Sequence, residues 1–356
     1  SGRVGGDGVM AKLGDIATYI NGYAFKPQDW SDEGVPIIRI QDLTGNSYQA
    51  NRYNGEYAPK YEVNDGDVLI SWSASLGVYV WHGEKAVLNQ HIFKVVFDKE
   101  RISKDFFVHQ VGLILENAAS DAHGATMKHL TKPVFDALPF YLPPYEKQCE
   151  IAEILDKVTS LISLRKQQLA KLDELVKVRF VELFYGQGYP VLKWKDVFDT
   201  TTGKLDSNAA VENGIYPFFT CSKEVLRINK YAFEQKALLL AGNNAAGKYD
   251  VKYYNGKFNA YQRTYVLGLK ENWSYRLFQY QLEDKLEYLQ RQSLGGLTKY
   301  LTLKILGDLG FIIPPKDRQD EFDAFVERVD QQKQTVQQSL EKLKLMKKAL
   351  MQEYFG

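Results

Sequence analysis

Three groups of residues in this 356-residue chain could in principle do chemistry. Gly242-Asn243-Asn244-Ala245-Ala246-Gly247-Lys248-Tyr249 follows an apolar run and nearly spells a phosphate-binding loop. Such a loop cradles phosphates with backbone N–H groups, reaches them with a Lys, and holds Mg²⁺ with a Ser or Thr hydroxyl. Tyr249 stands where that hydroxyl belongs, so nucleotide binding is not expected and the stretch reads as a turn bearing Asn and Lys. Leu142-Pro143-Pro144-Tyr145 has the outline of a methyl-transfer box, in which a polar residue before Pro-Pro accepts hydrogen bonds from the target amine. Leu142 cannot accept them, and a second Pro-Pro reads Ile313-Pro314-Pro315-Lys316. No convincing glycine-rich strand-to-helix turn for S-adenosylmethionine accompanies either. The third group, His82, His91, His109, His123 and His129 with Cys149 and Cys221, has no metal-ligand spacing and no nucleophile–base pattern. The chain reads as non-catalytic, with no cofactor and no metal.

Bulk properties agree with a recognition protein but do not require one. Net charge is +1, which argues against a small electrostatic DNA coater and leaves room for a local basic patch. The aromatic share is 13%, with 23 Tyr, which suits strands as well as recognition surfaces. Both cysteines read as reduced thiols of a cytoplasmic protein. No apolar run approaches the length of a membrane span, and Ser1–Met10 reads as a glycine-rich leader or tag remnant.

What positions any site here is a duplication. HGATMKHLTKPVFDALPFYLPP (His123–Pro144) aligns without a gap with LGGLTKYLTLKILGDLGFIIPP (Leu294–Pro315), at an offset of 171 residues. The match continues through Gln148 with Gln319, Leu172 with Leu343 and Phe184 with Phe355. Earlier parts align more loosely. Leu69 and Asn89 fall opposite Leu239 and Asn259 at an offset of 170, and Gly22 and Pro36 opposite Gly203 and Pro217 at 181.

Each copy starts strand-rich. Val35–Ile40, Asp67–Trp72, Val78–Trp81 and Ile92–Phe97 read as strands of the first copy, and Tyr216–Thr220, Ala237–Ala241, Val251–Tyr254 and Arg263–Leu269 as strands of the second. Helical patterns lie at Lys104–Asn117 and Ser274–Gln290. Each Pro-Pro closes a globular part and is followed by a helix of about 35 residues, or roughly 50 Å. Ile151, Leu155, Val158, Ile162, Leu169, Leu172, Val176 and Leu183 recur by fours and threes, with Arg165 and Arg179 in the same register. Phe322, Val326, Val329, Val336, Leu340, Leu343, Leu350 and Tyr354 repeat the pattern, with Lys333 and Lys347. A seam this narrow favours a partner helix over a globular core, so the two helices are expected to pack on each other. If they run antiparallel, they form a rigid rod that fixes the separation of two similar domains.

The chain resembles the specificity subunits of type I restriction-modification systems over nearly its whole length after Met10. The residues that carry the resemblance are Leu13-Gly14-Asp15-Ile16 with Gly22 and Phe25, Gly34–Ile40 with Asp42-Leu43, and Gly66–Ser71 with Gly77. Leu88–His91, Gly124–Leu130, Leu142-Pro143-Pro144, Gln148 and Arg179–Phe184 continue the series. The resemblance implies an α+β protein of two homologous mixed α/β target recognition domains, separated by two long helices that form an antiparallel coiled coil with pseudo-two-fold symmetry. The expected boundaries are 11–145 and 187–316 for the domains, and 146–186 and 317–356 for the helices. It further implies double-stranded DNA with a bipartite site, two methylase subunits and restriction motor-nuclease subunits as partners. The second copy departs from the family pattern, with Trp194-Lys195-Asp196-Val197 for the opening and no basic counterpart of Arg39.

Base edges are read by Arg, Lys, Asn and Gln, and phosphates by cations, hydroxyls and backbone N–H groups. The first-domain candidates are Lys26, Arg39, Gln41, Ser73, Ser75, Asn89, Gln90, His91, Thr126, Lys128 and His129. Those of the second domain are Lys204, Lys223, Asn243, Asn244, Lys248, Gln262, Arg263, Thr298, Lys299 and Tyr300. Asn89 is open to a structural reading, because it falls opposite Asn259. The matched Lys128 and Lys299 suit a shared phosphate contact. The competing readings are a methyltransferase or endonuclease with fused recognition domains, and a coiled-coil protein scaffold.

Overall fold

A computed structural model describes residues 8–46, 51–121, 131–245, 247–296 and 298–356. The chain divides into two compact units, residues 1–167 with 337–356, and residues 168–336.

In the first unit a four-stranded antiparallel sheet runs in the order Thr18–Asn21, Ile92–Val96, Val68–Ser71, Gly77–Val80. A second sheet runs Arg52–Tyr53, Val35–Ile38, Ala86–Leu88, Glu62–Val63, with the two middle strands parallel. Helix Lys104–Asp121 buries Phe106, Phe107, Val111 and Leu115 in one core with Ile70, Phe93 and Val95. Val9–Lys12 pairs antiparallel with Pro139–Leu142. Val9 and Met10, at the end of the stretch read as a leader, therefore belong to a strand.

In the second unit one six-stranded sheet runs Phe198–Thr202, Thr264–Leu269, Phe233–Ala241, Val251–Ala260, Tyr216–Phe219, Leu226–Ile228. Phe278, Leu282 and Leu289, from helices Tyr275–Asp284 and Leu286–Gln292, join its core with Leu238, Leu240 and Leu267. Val191–Lys193 pairs with Gly310–Ile312 and repeats the closing pair of the first unit.

The helices expected after each Pro-Pro are Tyr145–Phe184 and Lys316–Phe355, each of 40 residues. One interaction fastens each to its unit. Gln148, 1% exposed, accepts at Oε1 from Ser103 N (2.8 Å) and donates from Nε2 to Pro143 O (2.9 Å). Gln319 does the same with Ser274 N (2.9 Å) and Pro314 O (2.8 Å). All three partners keep the offset of 171, so the duplication is visible atom by atom. The prolines cannot donate, but their carbonyls can accept, and the glutamine uses that.

The residues of the expected seam pack differently in the two units. In the second unit Leu169, Leu172 and Val176 of the first long helix cluster with Val329 and Val336 of the second. Leu183 clusters with Phe322 and Val326. Arg179 pairs with Glu321 at 2.6 Å and Lys333 with Asp173, so the two stretches run antiparallel and the cations in the seam meet carboxylates across it. In the first unit, Ile151 and Leu155 enter the domain core, and Leu350 and Tyr354 pack against that same core. Val158 and Leu340 are buried, while Ile162 and Leu343 are half-buried. Where a domain core is within reach, the apolar stripe uses it, because burial has no directional preference.

Three outcomes test this description in equilibrium denaturation. Gln148→Leu or Gln319→Leu strands one buried N–H and one buried carbonyl and is expected to cost about 2–4 kcal/mol. Phe322→Ala, at a fully buried site, is expected to cost about 3–5 kcal/mol. Leu164→Ala, at a position 57% exposed, should change stability by no more than about 0.5 kcal/mol.

Candidate nucleic-acid interface

The candidate residues of the second unit lie on loops that meet around the Tyr261–Arg263 turn. Strands Phe198–Thr202, Phe233–Ala241 and Tyr216–Phe219 all leave the sheet there, and the Tyr261–Arg263 turn sits among them. Backbone bonds tie the loops together. Gln262 N donates to Leu205 O (2.9 Å), Gly242 N to Arg263 O (2.8 Å), Tyr261 N to Phe219 O (2.9 Å) and Leu301 N to Gly242 O (2.8 Å). Asn243 and Asn244 pair as a short strand with Tyr300 and Lys299. The near phosphate-loop is thus half of a two-stranded pair, and the chain continues from it into strand Val251–Ala260 with no helix to bind a phosphate. Lys248 N donates to Asn244 Oδ1 (3.2 Å) across the turn that Gly247 closes at φ +67°.

Lys204, Lys223, Lys248, Gln262, Arg263, Thr298 and Tyr300 are exposed, while Lys299, Asn243 and Asn244 are half-buried. Lys204, Lys223, Lys248, Lys252, Arg263 and Lys299 outweigh Asp206, Glu224 and Asp250 at this end, although the whole chain carries only +1. Lys252 was not expected from sequence. Its Nζ donates to Ser222 O (3.0 Å) and pairs with Asp250, which holds the loop bearing Lys223 against the sheet. Burial pushes the Tyr249 and Tyr265 hydroxyls up from their ordinary value, and Tyr265 donates to Leu301 O (3.1 Å).

The first unit gathers its described candidates around the corresponding turn, where loops from its two sheets meet. Asn89 N donates to Ile38 O (3.1 Å), Gln90 N to Tyr23 O (2.8 Å) and Trp72 N to His91 O (3.2 Å). Arg39, Ser73, Ser75, Asn89, Gln90 and His91 therefore lie on neighbouring loops, and Gln41 on the helical turn Ile40–Leu43 beside them. Lys26, exposed, is on the flank, three residues past Tyr23. Arg39 packs its guanidinium over Trp30 (5.7 Å) and beside Asp42 (3.7 Å), and Ser73 is buried, so both are held by the fold. His91 has φ +71° and its ring lies edge-on to Trp72 at 4.9 Å. Left-handed backbone is rare in non-glycine residues and clusters at functional sites. The amide atoms Gln41 Nε2 and Asn89 Oδ1 are buried without a hydrogen-bond partner, each at a cost of about 1–3 kcal/mol. Thr126, Lys128 and His129 lie outside the described residues.

Both loop ends depend on one close backbone approach. A Cβ on Gly22 would lie 1.9 Å from Asn89 O, and one on Gly203 would lie 1.8 Å from Ala260 O. Only glycine lets the first strand pass that closely. Among the described residues no group of three or more His, Cys, Asp or Glu could hold a metal, and no helix is long and apolar enough to cross a membrane.

Comparison with known proteins matches this architecture. The family described as type I restriction modification DNA specificity domain matches residues 7–174 and again 187–345. The type I restriction enzyme EcoDI specificity subunit of Escherichia coli is 35% identical over 170 residues, covering 44% of this chain and 37% of that protein. The EcoBI specificity subunit of E. coli is 29% identical over 168 residues, covering 46% of this chain and 35% of that one. The matches thus span little more than a third of the length of these two relatives. Among solved structures, the S subunit of the type I restriction-modification system from M. genitalium superposes with a TM-score of 0.63 at 13% identity, covering 99% of this chain and 97% of that one. A chain from a structure on complex assembly and conformational transition of the type I R-M system gives 0.59 at 15%, covering 100% of this chain and 99% of that one. At those identities they speak for the fold alone. With the family matched twice, over nearly the whole chain, this protein belongs to the type I restriction modification DNA specificity domain family.

Proposed function

We propose that this chain is the DNA-reading subunit of a type I restriction-modification complex. Each unit reads one half of a bipartite site, and the chain performs no catalytic step itself. The observation that carries this reading is the convergence of all ten second-unit candidates on one loop end with an excess of cations. Phosphates are engaged by Lys204, Lys223, Lys248 and Lys299, and base edges by Asn243, Asn244, Gln262 and Arg263. That division follows from chemistry: cations find phosphate oxygens anywhere, while amide and guanidinium groups discriminate bases. In the first unit Gln41, Asn89, Gln90 and His91 take the base-reading part, with Lys26, Thr126, Lys128 and His129 on phosphates.

The long helices have two tasks in this account. They set the distance between the half-sites, each being about 60 Å long at 1.5 Å per residue. They also dock two methylase subunits, with restriction motor-nuclease subunits joining the same assembly. Ile154, Leu161, Leu164, Leu175, Val178 and Val181 on the first long helix are 40–57% exposed and lie off the seam. An apolar stripe on a helix otherwise clothed in Glu, Lys and Arg suits a protein partner. A fused methylase is not favoured, since Pro143 and Pro314 serve as anchors for Gln148 and Gln319.

Three measurements check the reading. DNase protection of the complex with its methylase should show two protected segments around an unprotected gap; a single continuous footprint would refute one half-site per unit. Lys299→Ala should weaken binding to all sequences alike and lower the slope of log affinity against log salt by about 0.9; Lys128→Ala should do the same, and an unchanged slope removes the phosphate role. Arg263→Ala or Asn243→Ala should cost about 1–3 kcal/mol at one base pair, and should relax preference in one half-site only.

A further inference from the structure

The two loop ends correspond residue by residue, but not in the alignment that the sequence suggests. At the offset of 170, Asn89 stands opposite Asn259. Asn259 is in fact a strand residue, 5% exposed, with its Nδ2 donating to Lys230 O at 3.0 Å. The backbone bonds that hold Asn89, Gln90 and His91, to Ile38, Tyr23 and Trp72, are those that hold Tyr261, Gln262 and Arg263, to Phe219, Leu205 and Gly242. The strand registers agree. Ile70 lies opposite Phe93 in one sheet, and Leu240 opposite Tyr265 in the other. Asn89-Gln90-His91 and Tyr261-Gln262-Arg263 are one turn built twice, displaced by 172 residues.

The middle residue of that turn is Gln in both units, and the first is not shared. Asn89 holds a side-chain oxygen without a hydrogen-bond partner, and Gln41, on the helical turn that follows the strand paired with Ala86–Leu88, holds an unpartnered amide nitrogen. Proteins pair their buried amides almost without exception. Two such atoms, buried beside the repeated turn on residues that are themselves part-exposed, are groups that a hydrogen-bonding ligand completes once the side chains turn outward. An Asn amide offers one donor and one acceptor side by side, which fits the N6/N7 edge of adenine in the major groove. Tyr261 offers a ring and a single hydroxyl, which cannot make that two-point contact.

We propose that residues 89 and 261 are the specificity-determining pair of this protein: a single place in the repeated turn where an amide reads one half-site and a phenol the other, while Gln90 and Gln262 supply a contact common to both. The inference rests on the DNA-reading role proposed above.

The test offers the full chain, assembled with its methylase, a pool of duplexes randomised across both half-sites, comparing wild type with Asn89→Tyr and Tyr261→Asn. Each exchange introduces a residue that the other unit already carries in that turn. The expected result is a shift of at least tenfold in the selected base at one position of one half-site, different for the two exchanges, with the other half-site unaffected. Unchanged selection by both exchanged proteins, with DNA recovered as by wild type, overturns the proposal. A wild-type pool without bipartite preference defeats the DNA-reading role on which it rests. If Asn89→Tyr melts below wild type, Asn89→Asp decides the matter. It keeps the size and the acceptor but loses the donor, so it must shift first-half preference, and wild-type selection by it overturns the proposal.

Discussion

The loop ends exist because a glycine allows two backbones to touch. Gly22 and Gly203 each bring the first strand of a sheet against a carbonyl where a strand runs into the repeated turn, Asn89 O in one unit and Ala260 O in the other, at distances no side chain would permit. That approach sets the register of the turn, and the turn's own N–H and carbonyl groups then capture the neighbouring loops. Because the ties are backbone to backbone, the side chains they display are free to differ. The same scaffold can therefore carry Asn89 in one unit and Tyr261 in the other. The function proposed above, reading two unlike half-sites, needs that separation of framework from reader.

The helices solve a different problem. Each unit must be fastened to a stiff element without a flexible linker, and the Pro-Pro hinge followed by a buried glutamine does this. Proline halts the strand and frees its carbonyl, and Gln148 or Gln319 takes that carbonyl and the N–H at the start of the domain's own helix in one amide. Within each unit the apolar stripe packs on what is in reach, the domain core at Ile151 and Leu155 in the first and the facing helix at Leu172 and Val329 in the second. Ion pairs such as Arg179 with Glu321 fill the seam positions where a cation interrupts it.

Much of this was legible in the sequence, and the failures have physical causes. The helices were readable because a stripe recurring by fours and threes marks one face of a helix, but the period does not say whether that face meets a domain core, as at Ile151 and Leu155, or a second helix, as at Leu172. The duplication was readable where the offset stays fixed at 171. It misled where the two copies differ by short insertions, so that two asparagines met by coincidence, and only hydrogen bonds revealed Tyr261 as the partner of Asn89. Ile40 reads as the end of a strand, yet Asp42 accepts from Arg39 N (2.8 Å) and turns Ile40–Leu43 into a helical turn. Asn255-Gly256 reads as a stop after Tyr254, yet Gly256, at φ +139°, stays in register opposite Gln235 and the strand runs on to Ala260. Lys285 breaks the helix expected over Ser274–Gln290 into two. The role of Lys252 left no trace in sequence, because a lysine fastening a loop looks like any exposed lysine.

The central claim is that one chain carries two separate readers. Sequencing the methylated positions in cells that express this protein with its cognate methylase tests it most directly. The account predicts one motif made of two short specified segments divided by a gap of fixed length and free sequence. A contiguous motif, or two specified segments at variable separation, would contradict it.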